Sequence, residues 1–135
     1  MVFFCHHSSI VAVFTGEGPL TAEEMDYMRQ HPAIGAGIME GVPFLERARE
    51  IALYHHERYD GTGYPAGKSG KEIPMGARLL AVADAFDSMT SNRSYRAATT
   101  SEAAIRELRD KSGSQFCPEA VNAFIEAYAE SQGPA

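Results

Sequence analysis

The sequence contains no tryptophan, only two cysteines (Cys5 and Cys117) and no long hydrophobic run. Two cysteines cannot build the disulfide framework of a small secreted domain, so the reducing cytoplasm is the expected compartment. The longest apolar runs, residues 10–14 and 79–83, are far shorter than the roughly 20 residues that a membrane helix needs. We therefore expect a cytoplasmic protein that does not contact the membrane.

Positive charge is also in short supply, with 12 basic side chains against 18 acidic ones and a net charge of −6. Proteins that coat nucleic-acid polymers bind phosphates through clustered lysine and arginine, so no such partner is expected. The charge is unevenly distributed, because residues 58–96 hold six basic and four acidic side chains. This mildly basic region suits a small anionic ligand.

The 135 residues are enough for one domain, and the pattern of apolar residues predicts an all-α fold. Thr-x-x-Glu capping boxes at Thr21 and Thr99 each predict a helix start, and Cys117 is a poor cap for the last helix. The apolar run from Ala77 to Phe86 predicts a helix that is buried throughout. The glycines of residues 60–73 predict a loop. Prolines that can open further helices are Pro32, Pro43, Pro74 and Pro118.

Four of the five histidines occur in adjacent pairs, and the pair His55-His56 lies at the end of a predicted helix, just before the glycine loop. Adjacent helical residues point about 100° apart, so the two rings cannot easily chelate one ion. They could serve two neighbouring ions, or one could bind a metal and the other a substrate. The alternative is that both rings are hydrogen-bonded at the edge of the core.

Asp84 is a carboxylate surrounded by apolar neighbours. Burying it is costly unless it meets a cation, and a metal shared with His55 or His56 would supply one. The alternative is an ion pair with Arg78. Nitrogen and oxygen ligands without thiolate suit Fe, Mn, Zn or Co.

Two further segments could contact a ligand. The glycines of residues 60–65 permit close backbone approach, and Tyr64 offers an aromatic face with a hydroxyl group. Arg93 and Arg96 could hold a phosphodiester through paired N–H donors, although a solvated helix end is the usual place for such arginines.

Residues 55–65 read HHERYDGTGYP, which resembles the signature of HD-GYP domains. The resemblance runs in order from residue 18 to about residue 128. Its other segments are residues 18–21 (GPLT), His31, Pro32, Gly35, residues 73–74 (IP), 77–78 (AR), 81–91 (AVADAFDSMTS), 93–96 (RSYR) and 113–116 (GSQF).

The resemblance implies an HD-superfamily helical bundle that hydrolyses cyclic di-GMP with two or three divalent metal ions. Fe or Mn comes first among these metals, with Zn, Co and Ni as alternatives. It also implies that the GYP loop around residues 63–65 has a protein partner, either a diguanylate cyclase domain or another protein. A sensory or receiver domain is implied upstream. By position, the metal ligands would be His31, His55, His56 and Asp84. The substrate-binding residues would be Gly63, Tyr64, Pro65, Arg93 and Arg96.

One part of the family pattern has no counterpart, because the sequence contains no His-Asp dipeptide followed three residues later by lysine. Counting about sixteen residues back from Gly18 reaches residues 2–6, which differ from that pattern. We therefore expect residues 1–17 to be an atypical segment and residues 18–130 to be the C-terminal portion of an HD-GYP domain. Residues 131–135 would form a tail. The front helices that carry the His-Asp pair would be missing, and no catalytic residue is assigned.

Three functions stay open. The first is a metal-dependent cyclic di-GMP phosphodiesterase domain with little or no activity as these residues alone. The second is a non-catalytic module that binds a cyclic dinucleotide or a protein. The third is an HD phosphohydrolase that acts on another nucleotide, which the intact GYP loop disfavours.

Overall fold

A computed structural model describes residues 21–92 and 97–133; the predicted ligand residues Arg93 and Arg96 lie outside them. These residues form no strand, only an isolated bridge between Ser112 and Phe116. A 3-10 turn precedes α3 (Pro43–Leu45) and another precedes α4 (Gly70–Glu72). The all-α prediction is confirmed. The helices are α1 (Ala22–Met28), α2 (His31–Ile38), α3 (Glu46–Tyr54), α4 (Met75–Thr90), α5 (Ser101–Asp110) and α6 (Pro118–Ser131).

The first predicted capping box is confirmed. The Thr21 hydroxyl accepts a hydrogen bond from the Glu24 N–H at 3.2 Å, and the Glu24 carboxylate accepts one from the Thr21 N–H at 2.7 Å. The second box is wrong by one residue, because Thr100 caps α5 and places Glu102 one position too early to reach back. The Thr99 N–H instead donates to the Met89 carbonyl at the end of α4.

The hydrophobic core lies where α4 packs against α5 and α6. The first turn of α6 adds Cys117 to this core, and Cys117 makes no side-chain cap, as its thiol predicted. The buried members are Val82, Ala85, Met89, Ala104, Leu108, Phe116, Cys117, Ala120 and Val121.

Helix α4 is not buried throughout, so that prediction is wrong. Leu79 and Leu80 are 39% and 36% exposed. At about 100° per residue the buried positions of α4 cover an arc of about 140°, and both leucines lie outside this arc. Another side of α4 meets α3 at Gly76, where a Cβ atom would stand 2.5 Å from Ile51 Cδ1.

Helices α2 and α3 pack on each other as an antiparallel pair, joined through a turn in which Gly41 has a φ of +78°. This arrangement brings the first residue of α2 beside the end of α3. Large apolar side chains near the turn face solvent, with Ile38 79% and Phe44 85% exposed. None of the described helices is long and apolar enough to cross a membrane.

Burial predicts how two aliphatic truncations differ. Leu108→Ala removes a side chain that is 0% exposed, and we expect a loss of about 2–5 kcal/mol in the free energy of unfolding. Ile38→Ala, on an exposed helical position, is the control and should change it by less than about 0.5 kcal/mol. Chemical denaturation of both variants measures this, and equal losses would contradict the core assignment.

Candidate metal centre

Three histidines converge at the open ends of the α2–α3 pair. His31 is the first residue of α2, whereas His55 caps the end of α3 and His56 follows it. One ring nitrogen of each histidine lies within 4.8 Å of the other two. The helical spacing of His55 and His56 predicted rings that point apart. Their ring centroids, just beyond the end of α3 at Tyr54, are instead only 4.0 Å apart.

Backbone carbonyls set the tautomers of two of these rings. His31 Nδ1 is hydrogen-bonded to the Met28 carbonyl, and His55 Nδ1 lies 2.7 Å from the Ala52 carbonyl. A carbonyl can only accept, so Nδ1 carries the proton and Nε2 is the acceptor nitrogen of each neutral ring. Histidines that bind metals are typically oriented in this way.

His56 completes the group. Its Nε2 lies 3.2 Å from His31 Nε2, and because His31 accepts there, His56 donates. A cation bound by both of these nitrogens would replace this bond, and the His56 proton would then sit on Nδ1, because a neutral imidazole keeps one N–H.

Burial favours the neutral form of two of these histidines. It lowers the pKa of His31, partly opposed by the hydrogen bond to Met28. Burial also lowers the pKa of His55, opposed by the hydrogen bond to Ala52 and by the charge of Asp84. Since the neutral imidazole is the form that binds metals, both rings are suited to metal binding at neutral pH.

Asp84 lies half-buried on α4, and its negative charge raises the pKa of His55. Asp84 is not part of the three-imidazole group. Its expected alternative partner, Arg78, donates to the Ile73 carbonyl at 2.8 Å and to Cys117 Sγ at 3.4 Å. Arg78 also lies 3.8 Å from a Glu119 carboxylate oxygen. These contacts favour a role for Asp84 beside the histidines, and its ligation stays a prediction.

The donor set fits one divalent ion. Three neutral imidazoles suit Fe, Mn, Zn, Co or Ni, and a nearby carboxylate could add an oxygen ligand. A second or third ion would need further ligands, and the sequence has no His-Asp pair to supply them. His31, His55 and His56 would hold the ion.

The GYP loop, residues 60–66, lies against this group. The Tyr64 ring stacks on His56 with centroids 5.1 Å apart and ring planes 14° apart, and the Tyr64 N–H donates to the His56 carbonyl at 3.3 Å. A Cβ atom at Gly63 would stand 2.3 Å from the Arg58 backbone nitrogen, so only glycine permits this approach. Tyr64 therefore lies against the histidine group, while Pro65 is exposed beside it, and the substrate-binding role of both stays a prediction.

A polar network that the sequence analysis did not single out fixes the start of the loop. Arg58 Nη2 lies 3.0 Å from Asp60 Oδ2, and the Thr62 hydroxyl donates to Asp60 Oδ1 at 2.6 Å. The backbone of Asp60 donates to the Ser114 carbonyl at 2.8 Å, which joins the loop to the connection between α5 and α6. The sequence contains one signal for this network, because a short polar side chain such as Asp60 followed by a glycine is typical of turns.

The close approach at Gly63 gives a mutational test. Gly63→Ala should separate Tyr64 from His56 and lower stability, because the new methyl group meets backbone atoms that cannot move independently. Gly37→Ala is the matched control, since a Cβ atom there meets nothing within 4 Å and α2 should gain up to about 1 kcal/mol. Denaturation curves measure both changes, and a stable Gly63→Ala protein with an unchanged aromatic spectrum would contradict the packing.

Asp60 predicts a pH dependence. The hydrogen bond from Arg58 lowers the pKa of Asp60 to about 2 from its ordinary 3.8. The folded form then binds fewer protons than the unfolded form, so this stabilisation is present above pH 3.8 and is lost as the pH falls towards 2. Asp60→Asn should flatten the acid limb of the stability curve in this range, and an unchanged limb would remove Asp60 from the network.

The family comparisons agree with this geometry. The sequence model of the HD domain family matches residues 8–120. A cyclic di-GMP phosphodiesterase of Thermotoga maritima is 45% identical over 115 residues, which cover 84% of this chain and 31% of the relative. A cyclic di-GMP phosphodiesterase response regulator of Xanthomonas campestris is 43% identical over 121 residues, which cover 88% and 32%. The chain thus spans about a third of the length of these relatives.

Solved structures share the fold. A cyclic GMP-AMP specific phosphodiesterase of Vibrio cholerae matches with a TM-score of 0.62 and 23% identity, over 90% of this chain and 31% of that one. An HDG"Y"P protein of Bdellovibrio bacteriovorus matches with a TM-score of 0.63 and 22% identity, over 90% and 39%. The HD-superfamily fold prediction is confirmed. The chain belongs to the HD domain family, and within it to the HD-GYP type that residues 55–65 predicted.

Proposed function

We propose that this chain is part of a metal-dependent phosphodiesterase that hydrolyses cyclic di-GMP in bacterial second-messenger signalling. The observation that carries the proposal is the convergence of three imidazoles, with Nε2 as the acceptor on two of them, beside the GYP loop. Relatives at 45% and 43% identity are named cyclic di-GMP phosphodiesterases, and another at 36% is named a 3'3'-cGAMP-specific phosphodiesterase. A cyclic dinucleotide is therefore the substrate class to test.

The proposed roles follow from position. His31, His55 and His56 would bind one ion, preferably Fe or Mn, and Asp84 would supply an oxygen ligand to it or to a second ion. The ion would supply a Lewis acid for the phosphoryl oxygen. Tyr64 would lie beside the substrate, while Arg93 and Arg96 would bind its phosphate or guanine groups. The protein would act in the cytoplasm.

A second function is favoured by one sequence observation, the lack of a His-Asp pair. Without the His-Asp pair, we expect residues 1–135 alone to turn over cyclic di-GMP slowly or not at all. The chain would then act as a module that binds a cyclic dinucleotide, or a protein through its GYP loop. In this second function, residues 1–17 would be the atypical segment and residues 18–130 the C-terminal portion of an HD-GYP domain.

Metal and nucleotide binding separate the two functions. The purified chain should bind a single Mn²⁺ ion in calorimetry, and His55→Ala should weaken this binding by more than about tenfold, because it removes a ligand. Arg47→Ala, an exposed position on the same helix, is the control. Cyclic di-GMP cleavage is followed by chromatography of the products.

Each outcome decides between the proposals. Cleavage that depends on Mn²⁺ supports the phosphodiesterase, and nucleotide binding without cleavage supports the module. Full Mn²⁺ affinity in His55→Ala would contradict the metal centre. A chain that binds neither Mn²⁺ nor cyclic di-GMP would contradict the phosphodiesterase and the nucleotide-binding module.

A further inference from the structure

Glu57 is a buried acidic residue to which neither the metal centre nor the proposed function gives a role. It is only 4% exposed. Its Oε1 accepts a hydrogen bond from the Ala66 N–H at 2.7 Å, whereas its Oε2 is buried without a hydrogen-bond partner. A buried oxygen without a hydrogen-bond partner is unfavourable, so the contribution of Glu57 is to be sought in the bond that its Oε1 makes.

The side-chain hydrogen bond of Glu57 closes a loop. Glu57 follows His56 directly, and its bond reaches Ala66, nine residues further along the chain and one residue beyond Pro65. The closed segment contains Gly63 and Tyr64. At Gly63 the returning chain approaches the backbone so closely that a Cβ atom would stand 2.6 Å from Glu57 Cα.

Closing the loop determines where Tyr64 lies. Tyr64 is two residues before Ala66, so the bond to Glu57 holds the end of the loop while the Tyr64 N–H donates to the His56 carbonyl. With both contacts made, the Tyr64 ring covers one face of the His56 ring at a nearly parallel angle of 14°. Backbone carbonyls orient His31 and His55, and Tyr64 restricts the rotation of His56 in the same group.

We propose that Glu57 is a positioning residue: by binding the Ala66 N–H, it holds Tyr64 against His56 and so fixes the orientation of this imidazole. Glu57 acts through the loop and touches no substrate or metal in this role. The consequence for metal affinity rests on the proposed metal centre, but the orientation of His56 does not. Residues that orient a metal ligand typically contribute about 10–100-fold to metal affinity.

The variants separate the hydrogen bond from the bulk of the side chain. Glu57→Ala removes the bond, whereas Glu57→Gln keeps an oxygen that can accept from the Ala66 N–H. Tyr64→Ala removes the ring and defines the signal of an uncovered His56. Glu50→Ala, an exposed glutamate on α3, is the matched control.

The main readout is the NMR shift of the His56 ring protons in the metal-free full chain, because the ring current of Tyr64 acts on them directly. In Glu57→Ala these shifts should move to the values of Tyr64→Ala, and in Glu57→Gln and Glu50→Ala they should stay as in the parent. Unchanged His56 shifts in folded Glu57→Ala would overturn the proposal. Should Glu57→Ala unfold, amide exchange in the parent decides: a slowly exchanging Ala66 amide supports the bond, and an unprotected one overturns it.

A second readout excludes a merely structural role. Mn²⁺ affinity should fall about tenfold in Glu57→Ala, recover in Glu57→Gln, and show no further loss when Glu57→Ala is combined with Tyr64→Ala. Additive losses in the double variant would show that Glu57 acts independently of Tyr64 and would overturn the proposal. A parent chain that binds no Mn²⁺ would contradict the metal centre alone, since the His56 shifts test the positioning without metal.

Discussion

The antiparallel packing of α2 on α3 is the constraint on which the candidate site depends. It brings the first residue of one helix beside the last turn of the other, so that His31 reaches His55 and His56 across a separation of about 25 residues in sequence. At both places a carbonyl three residues earlier in the chain accepts from Nδ1. The same local geometry thus prepares two acceptor nitrogens that converge on one point.

Two other parts of the fold lie beside the three histidines. Helix α4 packs against α3, α5 and α6 and carries Asp84 at the edge of its buried arc, near His55. The connection between α5 and α6 accepts hydrogen bonds from Tyr59 and Asp60 at the start of the GYP loop. The core around Leu108 and Val121 is therefore connected to the loop that covers His56.

Much of this could be predicted from the sequence, because helix starts and the histidine pair are local patterns. Thr21 and Gly63 behave as their chemistry predicts: one caps a helix, and the other permits a close approach. The errors have physical causes. Leu79 and Leu80 continue an apolar run but fall outside the arc that α4 buries, and Thr99 loses its capping position because its N–H binds the end of α4.

The site needed tertiary information. Helical spacing predicted that His55 and His56 diverge, whereas their ring centroids lie 4.0 Å apart just beyond the end of α3. The role of Glu57 depends on a bond across nine residues, which no periodicity shows. In the same way, the neutrality of His31 and His55 follows from burial, which depends on how α2 packs.

Three imidazoles converge closely enough to bind one cation, with Nε2 as the acceptor nitrogen of His31 and His55. Long-range ¹H–¹⁵N spectra of the histidine side chains, recorded without metal and with Zn²⁺, test it most directly. We expect metal-free His31 and His55 to carry their protons on Nδ1, and Zn²⁺ to shift the Nε2 resonances of His31 and His55 together with one ring nitrogen of His56. Protons on Nε2 of His31 and His55, or a Zn²⁺ shift confined to Nδ1, would contradict it.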